Sequence, residues 1–324
     1  MNVTSHDPPI LPSQSIPANQ APAAASAGVL LRGLIDYAGL FPPASLAMAV
    51  AATNYESYLH SEFRWMLGRF IVPVARLGEF EEAVNRLPHA PEHANSNWSV
   101  SALPSANLSA DLALIHEFTN RFAASPPQRK VSIGSLEIKI ASAEEIERLS
   151  KLIPAELDTY FEIPLNADVS NCLRAVGHSG RRAKIRTGGE TPDKFPTPES
   201  VAEFMRLCAA SNVAFKATAG LHHPIRSLHR LTYQADSASA IMHGFLNVFL
   251  AAAFVRGGMD ATRAVELMNE QSAASFHFDS EGLFWREHRL ALADLSHARR
   301  DFAISFGSCS FTEPVEDLRA LRLL

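Results

Sequence analysis

The chain has 324 residues and a mass of 35.3 kDa, enough for one α/β barrel with insertions or for two small domains. Hydrophobic residues make up 47% and charged residues 19% of it, an ordinary globular composition that excludes a fibrous or wholly disordered chain. A formal net charge of -5 and a pI near 6.2 supply no basic field to gather a polyanion, so nucleic acid is not an expected partner.

Residues 1–27 are rich in Pro, Ala and Ser and carry no Lys or Arg before Arg32. They read as a disordered tail ahead of a single domain over 28–324. Cys172, Cys208 and Cys309 are the only cysteines. An odd number without C-x-x-C spacing suits a reducing compartment, and the cytoplasm is the expected location. The longest apolar run, Gly244 to Val255, is interrupted by Asn247 and falls short of the roughly 20 residues a span requires. It reads as a buried helix, with no membrane partner.

Beyond the tail one pattern repeats: a short extended run, a turn, then an amphipathic helix, the grammar of a parallel sheet with crossover helices. Strands are expected at Leu34 to Leu40, Arg69 to Ala75, Trp98 to Leu103, Ser135 to Ile140, Thr159 to Leu165, Ala183 to Thr187, Ala214 to Ala219, and Ala303 to Ser308. Eight such units predict an α/β fold of the (β/α)8 TIM-barrel type. Helix starts are legible at Ser142 before Ala143-Glu144-Glu145 and at Thr197-Pro198-Glu199, where proline takes the first helical position. Val201, Phe204, Met205 and Cys208 recur at three- and four-residue spacing, an apolar stripe able to cover a sheet. The helix from Pro314 to Leu324 would close the ring. Between strands seven and eight the spacing lengthens, which predicts a helical insertion at about 221–300. Within it are expected a helix near Ser239 to Arg256, another from Asp260 to Gln271, and a hairpin around Phe278 to Leu283. A lid over the site and plain structural padding are both compatible with this segment.

Alternate residues of a barrel strand face the helices and the interior. In the fourth strand Leu136, Ile138 and Ile140 face the helices, which leaves Glu137 and Lys139 inside. The same parity turns Glu162, Lys184, Arg186, Lys216 and Thr218 inward, with Asp36, Ser101 and Ser305 on the first, third and eighth strands. Structural barrels fill this space with Val, Ile and Leu, because buried ions are expensive unless paired or functional. Four cations facing three carboxylates are left one negative charge short, so a small anionic metabolite is the expected ligand.

Arg186 is the best clamp for that anion, since its planar guanidinium can bond two oxygens at once. Gly188 and Gly189 follow directly, either as bare backbone N–H groups for an oxyanion or as a plain turn. Ser308 and Ser310 bracket the corresponding turn after strand eight, where barrels often hold phosphate ahead of a helix. Cys309 reads as a buried structural thiol rather than a nucleophile. A lysine attacks a carbonyl only when neutral. Lys184 and Lys216 share parity on adjacent strands, and a second ammonium about 4 Å away would lower a lysine pKa by roughly one to three units.

The tract Phe215-Lys216-Ala217-Thr218-Ala219-Gly220 resembles the Lys-x-Ser/Thr-x-Gly strand of deoxyribose-phosphate aldolase, a class I aldolase barrel. Lys184 stands where it could imitate that family's partner lysine, although the two tracts come in reversed chain order and Ser101 takes the place of an acid. The resemblance implies Schiff-base chemistry on Lys216.

His222 and His223 follow the lysine strand, and His243 and Asn247 lie on one helix face at four-residue spacing. His243 and Asn247 are expected to look into a cavity, and the histidines read as acid/base or substrate-contact groups, with structural hydrogen bonding as the alternative. His222 or His223 with His243 and Glu162 would also make a nitrogen and oxygen set suited to zinc.

The favoured expectation is a lyase of the Schiff-base, class I aldolase-like type acting on a small anionic carbonyl compound, with no cofactor or bound metal. In it Lys216 attacks, Lys184 lowers the Lys216 pKa, Glu162 or Glu137 moves protons, and Arg186, Lys139, Asp36 and Thr218 contact substrate. A metal-dependent barrel hydrolase or isomerase and a non-catalytic metabolite binder are the alternatives. Self-association into a homo-oligomer is compatible with the sequence.

Overall fold

The computed structural model describes residues 24–88, 96–124 and 129–324. The tail expected over 1–27 lies outside these as far as residue 23, and a helix, α1 (Ala25–Leu31), already begins within its last residues. The chain then alternates through β1 (Ile35–Tyr37), α2 (Met48–Leu59), β2 (Leu67–Pro73), α3 (Leu77–Arg86), β3 (Asn97–Leu103), α4 (Leu108–Ala124), β4 (Lys130–Lys139) and α5 (Ala143–Ser150). It continues with β5 (Asp158–Glu162), α6 (Val169–His178), β6 (Arg182–Arg186), α7 (Pro198–Ala210) and β7 (Phe215–Thr218). After β7 come a two-stranded hairpin, β8 (Ser227–Arg230) and β9 (Ser239–Met242), then α8 (Phe245–Arg256) and α9 (Ala261–Met268). A three-stranded antiparallel sheet of β10 (Phe276–Phe278), β11 (Gly282–Trp285) and β12 (His288–Ala291) precedes α10 (Leu292–Asp301), β13 (Ala303–Ser308) and α11 (Thr312–Ala320).

Eight of these strands close a parallel barrel in the ring order β1-β13-β7-β6-β5-β4-β3-β2. The fold is a (β/α)8 TIM barrel, and each of its strands falls on a segment predicted from sequence. Helix starts follow their side-chain chemistry: the Ser142 hydroxyl accepts the Glu145 N–H and the Thr197 hydroxyl accepts the Ser200 N–H. Helix α7 buries Val201, Phe204, Met205 and Cys208 against the barrel, each contributing about 2 kcal/mol in transfer terms.

The 219–302 segment departs from the helical insertion expected, because besides α8 and α9 it carries the β8–β9 hairpin and the three-stranded β10–β12 sheet. Residues Ser239 to Met242, expected to start the apolar helix, form the second strand of the β8–β9 hairpin, and the helix starts only after Gly244. Gly244 is required there, because a Cβ would lie 2.4 Å from the Pro224 carbonyl oxygen and 2.6 Å from the Arg226 nitrogen. Every residue of α8 from Phe245 to Val255 is buried, packed among α7, α9, α10 and β13. A helix that is apolar all round is stable only in such a place.

At the base of the barrel Arg299 fastens the ring. Its guanidinium donates to the carbonyls of Leu30, Arg32, Ala303 and Ile304, tying the chain on either side of the β1–β13 seam. Replacing it by methionine would strand buried carbonyl oxygens at about 1–3 kcal/mol each. Arg299→Met is therefore expected to lower unfolding free energy by about 3 kcal/mol or more, measured by urea denaturation.

Candidate active site at the barrel mouth

The inward positions of β1, β4, β5, β6 and β7 meet in an unbroken chain of opposite charges. Lys216 Nζ donates to Asp36 Oδ2 and to Glu137 Oε1, each at 2.6 Å. Lys184 Nζ lies 2.8 Å from Glu137 Oε2 and 2.8 Å from Glu162 Oε2, within ion-pair distance but off the hydrogen-bond axis. Arg186 Nε then donates to Glu162 Oε1 at 3.0 Å. Cross-strand register explains the sequence of contacts: Glu162 pairs with Lys184, Lys184 with Lys216 and Arg186 with Thr218. Hydroxyls hold the carboxylates in place, Ser305 on Asp36 at 2.7 Å and Ser101 on Glu137 at 2.8 Å. The backbone N–H of Arg69 donates to the other Asp36 oxygen.

The upper part of this chain opens into a cavity of about 290 Å3 lined by Glu137, Lys139, Glu162, Lys184, Arg186 and Glu190, among others. Lys216 is completely buried and does not line it. Arg186 is 44% exposed there, and its terminal nitrogens make no hydrogen bond among the described residues. Lys139, also exposed on the wall, has no ion pair among the described residues. Both cations are thus available to a ligand anion.

Burial and pairing set the protonation states. Burial by itself would raise the Glu137 pKa, but Lys184 and Lys216 outweigh it and hold the carboxyl well below the usual range. Burial likewise opposes ionisation of Glu162, and Lys184 and Arg186 bring its pKa down. For Lys216 burial favours the neutral amine, yet Asp36 and Glu137 prevail and push its pKa upward. This reverses the expectation of a nucleophile made neutral by Lys184: on Lys216 the nearest charges are two carboxylates, and its ammonium form is the one they stabilise.

The other expected site residues divide into two groups. Thr218, Gly189 and His222 line the cavity. Gly188 does not; its Cα packs under the Phe195 ring, and a Cβ there would come within 2.8 Å of the Gly220 Cα, so a close backbone crossing requires glycine. His222 Nδ1 lies 2.9 Å from Glu313, and His223 Nδ1 lies 2.7 Å from Asp317 with its ring stacked on His229. His243 and Asn247 were expected to look into the cavity, but both are turned into the protein. His243 bonds the Pro196 carbonyl and Arg226, while the Asn247 amide holds the Arg226 N–H and the carbonyls of Leu267 and Glu270. Desolvation takes the His243 pKa down to about 4, so this imidazole is neutral. The combination proposed for zinc is therefore not assembled, and among the described residues no group of three or more His, Cys, Asp or Glu is arranged to hold a metal ion. Ser308 and Ser310 fitted either a phosphate site or a plain turn. Their hydroxyls accept the backbone N–H groups of Ser310 and Glu313, and Glu313 places a negative charge in that first helical turn. Burial raises the Cys309 pKa to about 11, in keeping with a structural thiol.

Below the charge chain lies a second ionic layer that the sequence reading missed. Arg69 and Arg182 each lie 2.9 Å from Asp158 Oδ2, and Arg182 bonds the Tyr160 hydroxyl at 3.0 Å. Asp158, Tyr160 and Arg182 sit two or four residues before Glu162 and Lys184, so the same parity extended toward the strand starts would have found them.

No protein-family model and no curated protein matches the chain.

Removing Lys216 would leave Asp36 an uncompensated buried carboxylate and Glu137 with Lys184 as its one remaining cation, so Lys216→Met should destabilise the fold by about 3–5 kcal/mol. Chemical denaturation would check it, and adding Asp36→Asn to the same chain should recover part of the loss. A pH dependence follows from the same pairs. Glu137 and Glu162 have folded pKa values below their unfolded ones, so their stabilisation is present above about pH 4.3 and is lost as pH falls through the folded values. Lys216 has a raised value, so its contribution is complete below about pH 10.4 and is lost only at higher pH. Stability should be level between about pH 5 and 9 as far as these groups decide it and should fall on acidification. Glu162→Gln should reduce the acid slope, which thermal unfolding across pH would measure.

Proposed function

We propose that this protein is an enzyme of the lyase type that makes or breaks a carbon–carbon bond next to the carbonyl of a small anionic compound. The observation that carries this reading is the chain of paired charges that ends in the cavity with an ammonium, a carboxylate and an unsaturated guanidinium side by side. Structural ion pairs would not need to finish in a concave, ligand-sized space.

In this reading Arg186 receives the substrate's carboxylate or phosphate on its terminal nitrogens, with Lys139 adding charge at the rim. Lys184 presents its ammonium to the carbonyl oxygen. Glu162, ionised at neutral pH because of its cationic neighbours, takes the proton from a hydroxyl one carbon beyond the carbonyl's neighbour. The carbon–carbon bond then breaks, its electron pair forms the enolate, and the negative charge falls on the oxygen that Lys184 stabilises. Glu162 returns its proton to the enolate carbon. The substrate anion draws Arg186 away from Glu162, so binding itself weakens the force that keeps the carboxylate a poor base.

This assigns to Lys184 the electrophilic role that the resemblance to class I aldolases gave to a Schiff base on Lys216. The Lys216 amine is outside the cavity wall and its protons are engaged by two carboxylates, which supports a non-covalent mechanism.

Enolate formation can be observed without knowing the second product. Proton exchange at the carbon next to the carbonyl of α-keto acids, followed by NMR in deuterated water, should be accelerated by the protein, and Glu162→Gln should slow it by about 100-fold or more. Borohydride added during exchange should leave Lys216 unmodified. A reduced adduct on Lys216 would instead establish the Schiff-base route, and binding without exchange would favour a metabolite-binding protein.

A further inference from the structure

The cavity is chemically two-sided. Its charged residues stand on β4, β5 and β6, which are consecutive in the ring, with Glu190 in the loop that follows β6. Counting four strands round the eight-membered ring puts β13 opposite β4, β1 opposite β5 and β2 opposite β6. These facing elements bring no charge to the wall. Phe41 and Pro43 from the β1 loop and Ile71 from β2 line it there, joined by Leu103 at the end of β3. Leu231 and Met242, from the loop after β8 and the end of β9, continue the apolar lining.

Phe41 and Leu103 are only partly buried. Apolar surface left open inside a concavity, facing groups that fix an anion, is the usual arrangement for a ligand that has one polar and one apolar end. A sugar phosphate, polar along its whole length, would leave this wall unsatisfied.

We infer that the substrate is an amphiphilic carbonyl acid: an anionic head and carbonyl held by Arg186 and Lys184, and an alkyl or aryl group packed against Phe41, Ile71 and Leu103. This rests on the proposed function and narrows its substrate class. A neighbouring cavity of about 280 Å3 shares Pro43, His222, Leu231 and Met242 with the first, but His223, His229, Arg230 and Glu313 make its far side polar, so the apolar group is confined to the first cavity.

The test uses the full chain and a homologous series of probes: pyruvate, α-ketobutyrate, α-ketovalerate, α-ketocaproate and phenylpyruvate, with ribose phosphate as the polar comparison. Binding is followed by calorimetry and proton exchange by NMR. Affinity should rise roughly fourfold for each added methylene, with ribose phosphate weaker than α-ketocaproate. Leu103→Asn should flatten this dependence on chain length, and Phe41→Ala should do the same, with thermal unfolding of each variant confirming that it is folded. Arg186→Gln should weaken all the acids by a similar factor and leave the slope intact. If exchange occurs but affinity is flat or falls with chain length, the apolar assignment is wrong and the proposed function stands. If no acid in the series binds or exchanges, the proposed function falls and the narrower inference with it.

Discussion

Two buried lysines sharing one carboxylate, Glu137, are the interaction on which the barrel interior depends. Each oxygen of Glu137 meets a different ammonium, Lys216 below and Lys184 above. Asp36 and Glu162 then supply the outer partners, and Arg186 completes a run of three cations and three carboxylates. Such a run satisfies itself only as a whole, since taking away any one member leaves a charge of the opposite sign in a medium that solvates it poorly. An apolar filling of similar volume would stabilise a barrel as well or better. The retention of ions at its centre is therefore better understood as serving the cavity above them.

The same electrostatics separates the two lysines into different chemical roles. Lys216 has no route to the cavity and sits between carboxylates that favour its charged form, so it acts as a fixed positive charge that keeps Glu137 ionised. Glu137 in turn faces Lys184, which does reach the cavity. Sequence resemblance singled out the strand that carries Lys216, but the lysine that lines the cavity is its neighbour on β6, Lys184.

The histidines after β7 have a different part. His222 and His223 bind to Glu313 and Asp317 on α11, and His243 and Asn247 bind backbone near α7 and α9. They fasten the chain on either side of the β8–β9 hairpin to the helices around it. Buried polar side chains persist in such places because irregular backbone has N–H and carbonyl groups that need partners.

Strand count, helix starts and inward parity were legible in the sequence, because each depends on local rules: alternation along a strand, hydroxyl caps at helix starts, and apolar stripes on helices. Parity alone placed Asp36, Ser101, Glu137, Glu162, Lys184, Lys216 and Ser305 in one interior, and extended by a step it would have reached Asp158 and Arg182. It could not assign partners. Which carboxylate meets which lysine depends on the register and closure of the ring, set by contacts as distant in sequence as Asp36 and Lys216. Expecting Lys184 to depress the Lys216 pKa counted the neighbouring cation and missed the two carboxylates that ring closure places nearer. The same applies to His243 and Asn247, whose four-residue spacing gave them a common helix face but not the packing on that face. Sequence alone thus determined the barrel and the charges inside it. Only the tertiary structure decided their pairing, which lysine meets the cavity, and that a charged wall faces an apolar one, because those properties belong to residues brought together across the ring.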